Sequence, residues 1–195
     1  MLSYEESLKI LKRTDALLEG HFILSSGLHS KQYVQCAQLL SFPNEAMIIC
    51  SSLSEKIKNK IKNIDIILSP AIGGIVVGYE IGRQLNIKSI FCERESGNLI
   101  LRRGFDLPKK SNVLIVEDVI TTGKSALECA KLVSSNKANL VGFACIIDRS
   151  SKKIFNEHDI ISQLKINIET YNEANLPKEL ENIKPIKPGS RNIIK

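Results

Sequence analysis

Short apolar runs separated by longer mixed stretches set the rhythm of the chain. Asp65 to Leu68, Ser89 to Cys92, Asn112 to Val116 and Leu140 to Ile147 are rich in Ile, Val and Leu, as expected of strands buried on both faces of a parallel sheet. Between them lie segments with helical spacing: Asn44 to about Lys60 behind Pro43, a stretch from Gly73-Gly74 to about Leu85, and Ser125 to Val133. Proline suits a helix start because the first N–H groups have no intrahelical partner. Strands alternating with helices predict an α/β protein with a central, mostly parallel sheet flanked by helices and joined by right-handed crossovers. Ahead of this core, Ser3 to Leu18 spaces Leu8, Leu11, Leu17 and Leu18 as an amphipathic helix. Gly20 to Gln35 then places a turn-rich middle between two β-prone pieces, Phe22 to Leu24 and Gln32 to Val34. One more edge strand is predicted at Leu164 to Glu169, before a basic tail, KPIKPGSRNIIK.

The chemistry gathers between Val113 and Ser125, VLIVEDVITTGKS. Glu117 and Asp118 follow the apolar run directly, and the carboxyl edge of an open α/β sheet is where ligands bind. Thr121, Thr122, Gly123, Lys124 and Ser125 make a small hydroxyl-rich turn ahead of a helix. Such a turn offers backbone N–H groups and the positive end of the helix dipole to an anion, most naturally a phosphate. A carboxylate pair beside a phosphate cradle suits a sugar phosphate. Two better-known loops are excluded. A Walker A loop needs glycine where Asp118 stands, and G-x-G-x-x-G fails at Gly73-Gly74 because Ile75 occupies the second glycine position.

Three other stretches carry candidate chemistry, each beside a plainer explanation. Ser69 to Gly74, SPAIGG, is a second turn into a helix, suited to a diphosphate or to tight helix–strand packing. Glu93 to Lys110 is a long excursion with Arg94, Arg102 and Arg103 between possible hinges at Gly97 and Gly104. It is either a lid whose arginines close on a diphosphate or a solvated hairpin. Arg149, beside Asp148 at another strand end, can meet a substrate carboxylate or form an ordinary ion pair.

Composition narrows the classes further. The chain has 195 residues, 43% of them apolar and 25% charged, enough for one domain with a full core. No apolar run reaches membrane-spanning length, and the start, MLSYEESLKILKR, is unlike a signal peptide, so a cytoplasmic protein is expected. Five cysteines without C-x-x-C spacing predict buried reduced thiols, and the three histidines show no metal-ligand spacing. The net charge of +6 and pI of about 9.0 suit polyanionic small substrates as well as nucleic acid. No recognition helix or aromatic-rich basic patch supports nucleic acid.

Read together, GHFILSSGLHS, SPAIGG, CERESGNLILRRGF, VLIVEDVITTGKS, IIDRS and KPGSR resemble the orotate phosphoribosyltransferases, in a short-loop bacterial subgroup of the type I phosphoribosyltransferases. The resemblance runs along almost the whole chain. It implies the type I phosphoribosyltransferase fold as one domain over 1–195, with a small hood from about 20–35 and the C-terminal part, and a flexible lid at about 93–110. It also implies transfer of ribose 5-phosphate from phosphoribosyl pyrophosphate (PRPP) to orotate, giving orotidine 5'-monophosphate and pyrophosphate in pyrimidine biosynthesis. Mg²⁺ would be carried through the PRPP diphosphate and ribose without dedicated protein ligands, in a homodimer whose lid reaches the partner's site.

Mapped onto this chain, the resemblance puts Glu117 and Asp118 on the ribose hydroxyls and makes them catalytic together with Arg102 and Arg103. Val119, Ile120, Thr121, Thr122, Gly123, Lys124 and Ser125 would line PRPP, the last five on its ribose phosphate. Ile72, Gly73, Gly74 and Arg94 would serve the diphosphate, and Thr121, Arg149 and Ser25 the orotate. The chemistry is coherent: departure of diphosphate leaves a cationic ribose, which needs neutralised leaving-group charge, nearby carboxylates and exclusion of water. The chain lacks the lysines of long-loop members in the diphosphate turn and hood, and its lid carries arginines where theirs carries Lys and His. It also lacks a cysteine pair before the tail, so no tail metal is expected. Competing expectations are a transferase for a purine or uracil and a nucleotide-sensing regulator on the same fold.

Overall fold

The computed structural model describes residues 1–24, 26–151, 153–155 and 157–188. Helix α1 (Tyr4–Arg13) starts from a capping box in which Ser3 and Glu6 satisfy each other's backbone N–H groups. It ends five residues before the predicted Leu18, because Thr14 caps it and Asp15 turns left-handed at φ 54°. Leu17 and Leu18 therefore open strand β1 (Leu17–Ile23), which pairs antiparallel with β2 (His29–Val34) as a separate two-stranded sheet. This is the hairpin expected over Gly20 to Gln35, longer at its front.

After the short α2 (Cys36–Leu40) come α3 (Pro43–Lys60), β3 (Ile66–Pro70), α4 (Gly73–Leu85), β4 (Lys88–Glu95), β5 (Asn98–Leu101), β6 (Asn112–Ile120), α5 (Lys124–Ser135), β7 (Asn139–Asp148) and β8 (Ile160–Lys165). Strands β3 to β8 form one sheet in the order β5-β4-β3-β6-β7-β8, parallel throughout except for β5 on the edge. The α/β class with a mostly parallel sheet flanked by helices is thus as predicted. Alternate residues divide the core. Ile67, Leu114, Val116 and Ala144 face the α1, α3 and α4 side, whereas Ile66, Leu68, Val113 and Ile115 face α5.

Three stretches differ from the expected pattern. Strand β6 runs to Ile120, four residues past Val116, so the acidic pair lies on the strand itself. The last strand is Ile160–Lys165 instead of Leu164 to Glu169. Its buried Gln163, which donates to Ser7 Oγ at 2.8 Å, hid the strand from a hydrophobic pattern. The excursion at 93–110 is a β4–β5 hairpin in its first half, and Leu99 and Leu107 are buried in the α5-side core. A short 3₁₀ turn (Glu173–Asn175) and α6 (Lys178–Glu181) follow. The hood hairpin is tied to this last segment by backbone bridges Phe22–Ile186 and His29–Tyr171.

Candidate active site

Strand order determines where a ligand can sit. From β3 the chain crosses through α4 to β4 on one side, while β6, on the other side of β3, leads through α5 to β7. Connections leave the β3–β6 boundary in opposite directions, and in such sheets the crevice at that switch point is the binding site. The two predicted anion-binding turns lie at this place: residues 69–74 after β3 and 121–125 after β6.

Within the crevice the acidic pair straddles the strand end. Successive strand residues point to opposite faces, and the neighbours agree. A Cβ at Gly73 would lie 2.9 Å from both carboxylate oxygens of Asp118, so the diphosphate-turn candidate and Asp118 are in contact only because residue 73 has no side chain. Glu117 is 9% exposed and its charge bears on the α5-side thiols Cys92 and Cys129. Burial, and then the adjacent Asp118 carboxylate, push the Glu117 carboxyl up to about 8. Burial also raises Asp118, opposed by the Val119 N–H donating to its Oδ1 at 2.9 Å.

The turn after β6 is shaped by a single glycine. Gly123 stands at φ +71°, and a Cβ there would meet Ile154 Cγ2 at 2.6 Å, so only glycine fits. It starts α5 without any side-chain cap, leaving the N–H groups of the first helical turn available. Thr121, Thr122 and Lys124 are exposed and Ser125 is half-buried, whereas Val119 is half-buried and the Ile120 side chain belongs to the core. Ile120 offers its backbone, and its carbonyl accepts the Arg149 N–H at 2.8 Å. Across the crevice, Gly73 and Gly74 begin α4 at an uncapped start and Ile72 stands 85% exposed. Gly74 also packs tightly, since a Cβ there would come within 3.1 Å of Pro70 and Ser69. The two explanations of the glycines thus divide: residue 74 serves packing and residue 73 opens onto Asp118.

Arg149 is brought to the same edge. Its Nε is buried with no hydrogen-bond partner among the described residues. The expected ion pair with Asp148 is absent, because Asp148 accepts the Ser150 N–H at 2.8 Å and meets Lys165 Nζ at 3.6 Å. Burial lowers the Arg149 guanidinium from its ordinary value, and Tyr33 of the hood lies near enough to raise it in part. Tyr33 went unnoticed in the sequence, where it is one aromatic in a short β-prone piece. Ser25 lies outside the described residues.

The lid arginines are not in the crevice. Arg94 bonds Gly97 O and Glu128 of α5. Arg102 meets Glu95 at 3.3 Å and Glu93 at 3.8 Å, and Arg103 meets Glu93 at 2.6 Å while lying over the Phe91 ring. Their exposed ion pairs are worth little each and can exchange for a stronger anion.

Two turns with uncapped helix starts flank an acidic strand end on this sheet, an arrangement suited to a phosphorylated sugar. A family model described as phosphoribosyl transferase domain matches residues 35–182. A protein of Caldicellulosiruptor saccharolyticus named orotate phosphoribosyltransferase is 46% identical over 98% of this chain and 100% of its own length. One of the same name from Caldicellulosiruptor bescii is 45% identical over 94% and 96%. The chain belongs to the orotate phosphoribosyltransferase family. Among solved structures, the orotate phosphoribosyltransferase of Aeropyrum pernix superposes with a TM-score of 0.70 at 23% identity, over 81% of this chain and 92% of that one, a likeness of fold.

Proposed function

We propose that this site carries out its family's reaction, transferring ribose 5-phosphate from PRPP to orotate, with the residue roles that follow. PRPP lies across the end of β6. Its 5'-phosphate rests on the N–H groups of Thr121 to Ser125, and its diphosphate on the turn at Ile72, Gly73 and Gly74. Glu117 and Asp118 hold the ribose hydroxyls from the two sides of the strand and stabilise the positive charge that develops as the C1–diphosphate bond breaks. Orotate fits between Arg149 and the hood, its carboxylate on the guanidinium, with Thr121 and Tyr33 around the ring.

The donor set suits a hard cation held mostly by substrate oxygens. Two carboxylates stand at one strand end, and among the described residues no three His, Cys, Asp or Glu side chains gather into a cage. Mg²⁺ favours one or two carboxylates plus phosphates. When bound with PRPP it supplies charge neutralisation on the leaving diphosphate.

An exposed apolar row favours a homodimer. Ile72, Val76 and Tyr79 are 85%, 49% and 67% exposed at helical spacing along α4, an apolar seam fit for a second copy. In such a dimer Arg94, Arg102 and Arg103 would leave their glutamates to cover the diphosphate of the facing site. No helix among the described residues is long and apolar enough to cross a membrane, which supports a cytoplasmic enzyme.

The observation that carries the reading is the buried Arg149 Nε, which has no partner among the described residues, beside the acidic strand end. Its test is Arg149→Ala. The expected result is a rise in the KM for orotate on the order of 10²-fold, the loss of a charged hydrogen-bonded partner, with PRPP affinity unchanged. Equal weakening of both ligands would remove orotate from Arg149.

A further inference from the structure

Of the five buried free cysteines, Cys92 of β4 and Cys129 of α5 have their sulfurs in contact at 3.4 Å. Both side chains are 0% exposed. The Cys92 thiol also reaches Ser69 O at 3.7 Å, so the Cys129 S–H is the one free to donate to Cys92 Sγ. The pair joins two parts of the PRPP site. The Cys92 carbonyl accepts the Ala71 N–H of the diphosphate turn at 2.8 Å. On the other side, Cys129 follows Glu128, which holds lid residue Arg94, and shares α5 with the phosphate-binding turn.

We propose that Cys92 and Cys129 are a peroxide-oxidisable dithiol site whose disulfide couples the lid hairpin to the phosphate-binding helix. The Cys92 sulfur attacks one oxygen of a hydroperoxide. The O–O bond breaks, the released oxygen leaves as water (or alcohol) with the thiol proton, and Cys92 becomes a sulfenic acid. The Cys129 sulfur then attacks the Cys92 sulfur, forming S–S and breaking S–O, and its proton leaves with the hydroxyl as water. Two electrons pass from the thiols to the peroxide. Cys92 is the first nucleophile because the Cys129 hydrogen bond holds its thiol below the ordinary value, whereas Cys129 is raised by the same contact and by burial. A disulfide needs about 2.05 Å between sulfurs, so closure shortens the 3.4 Å contact by more than an ångström, through the two side chains and the elements that carry them. In this proposal part of that adjustment passes to the diphosphate turn and the Arg94–Glu128 pair. An ångström-scale displacement near the reacting groups costs up to about 10²-fold in rate. The crosslink stands on the sulfur contact alone; its effect on PRPP rests on the proposed site.

The test treats the folded enzyme with hydrogen peroxide, blocks remaining thiols under denaturant and maps peptides by mass spectrometry, with PRPP affinity measured in parallel. The expected result is a Cys92–Cys129 linked peptide, two hydrogens lighter than its parts and released by dithiothreitol, with PRPP binding weakened on the order of tenfold. Cys129→Ala should give no linked peptide and a PRPP affinity insensitive to brief peroxide. If that variant does not fold, wild-type linkage and its reversal decide alone. Recovery of both cysteines as free thiols, or either linked elsewhere, overturns the site. A linked peptide with unchanged PRPP affinity overturns the coupling. Failure of the reduced enzyme to bind PRPP at all would instead count against the proposed function.

Discussion

Glu117→Gln isolates the electrostatics of the acidic strand end. The carboxyl is pushed from its ordinary 4.5 to about 8, chiefly by burial and then by Asp118. A folded-state value above the unfolded one means the folded protein holds this proton more tightly. The resulting stability is complete below about pH 4.5 and is lost as pH rises through about 8. Between pH 5 and 8, linkage with these two values gives a loss of roughly 3–4 kcal/mol from this side chain. Glutamine keeps the shape and carries no titrating proton, while Asp118, raised in the same direction, is common to both proteins. Urea unfolding at pH 5, 6.5 and 8 should show the wild type losing stability relative to Glu117→Gln by about that amount, with equal m-values. Parallel pH profiles would refute the reasoning and show Glu117 to be solvated. The same linkage bears on the substrate: if ribose hydroxyls need the ionised carboxylate, wild-type PRPP affinity should rise with pH up to about 8, and the rise should be blunted in the variant.

Gly73→Ala would place a methyl 2.9 Å from both Asp118 oxygens. A loss of kcat/KM for PRPP on the order of tenfold or more is expected, with stability changed by less than about 0.5 kcal/mol at this helix start; a thermal melt beside steady-state kinetics checks both. For the shared lid, mixing an Arg103→Ala chain with an Asp118→Asn chain should restore part of the activity in heterodimers, one site receiving an intact lid and an intact carboxylate. Heterodimers shown to form without such recovery would place the lid over its own subunit's site.

What could be read from the sequence followed simple periodicities. Four buried strands are legible as short apolar runs, and the helices and two candidate anion-binding turns between them are legible from helical spacing and from Gly, Pro and hydroxyl residues. Elements with a mixed signal are harder to see. Leu17 and Leu18 fit a helical stripe as well as a strand, and the left-handed Asp15 that separates them from α1 has no distinctive sequence signature. The apolar run stops at Val116, so Glu117 and Asp118 read as following it at the strand's carboxyl end; they lie on β6 itself, on opposite faces. The stretch at 93–110 reads as a lid or a solvated hairpin because Arg and Glu fill it; its first half is the β4–β5 hairpin, packed through Leu99. Tyr33 and the sulfur contact of Cys92 with Cys129 depend on tertiary approach, which no local pattern contains.

The most direct test is pyrophosphate release from PRPP and Mg²⁺ with orotate, uracil, adenine and hypoxanthine supplied separately. Release with orotate alone is the expected result and supports a site that reads the carboxylate of the base, the role proposed for Arg149. Release with a base that has no carboxylate, and none with orotate, would keep the fold and contradict the site.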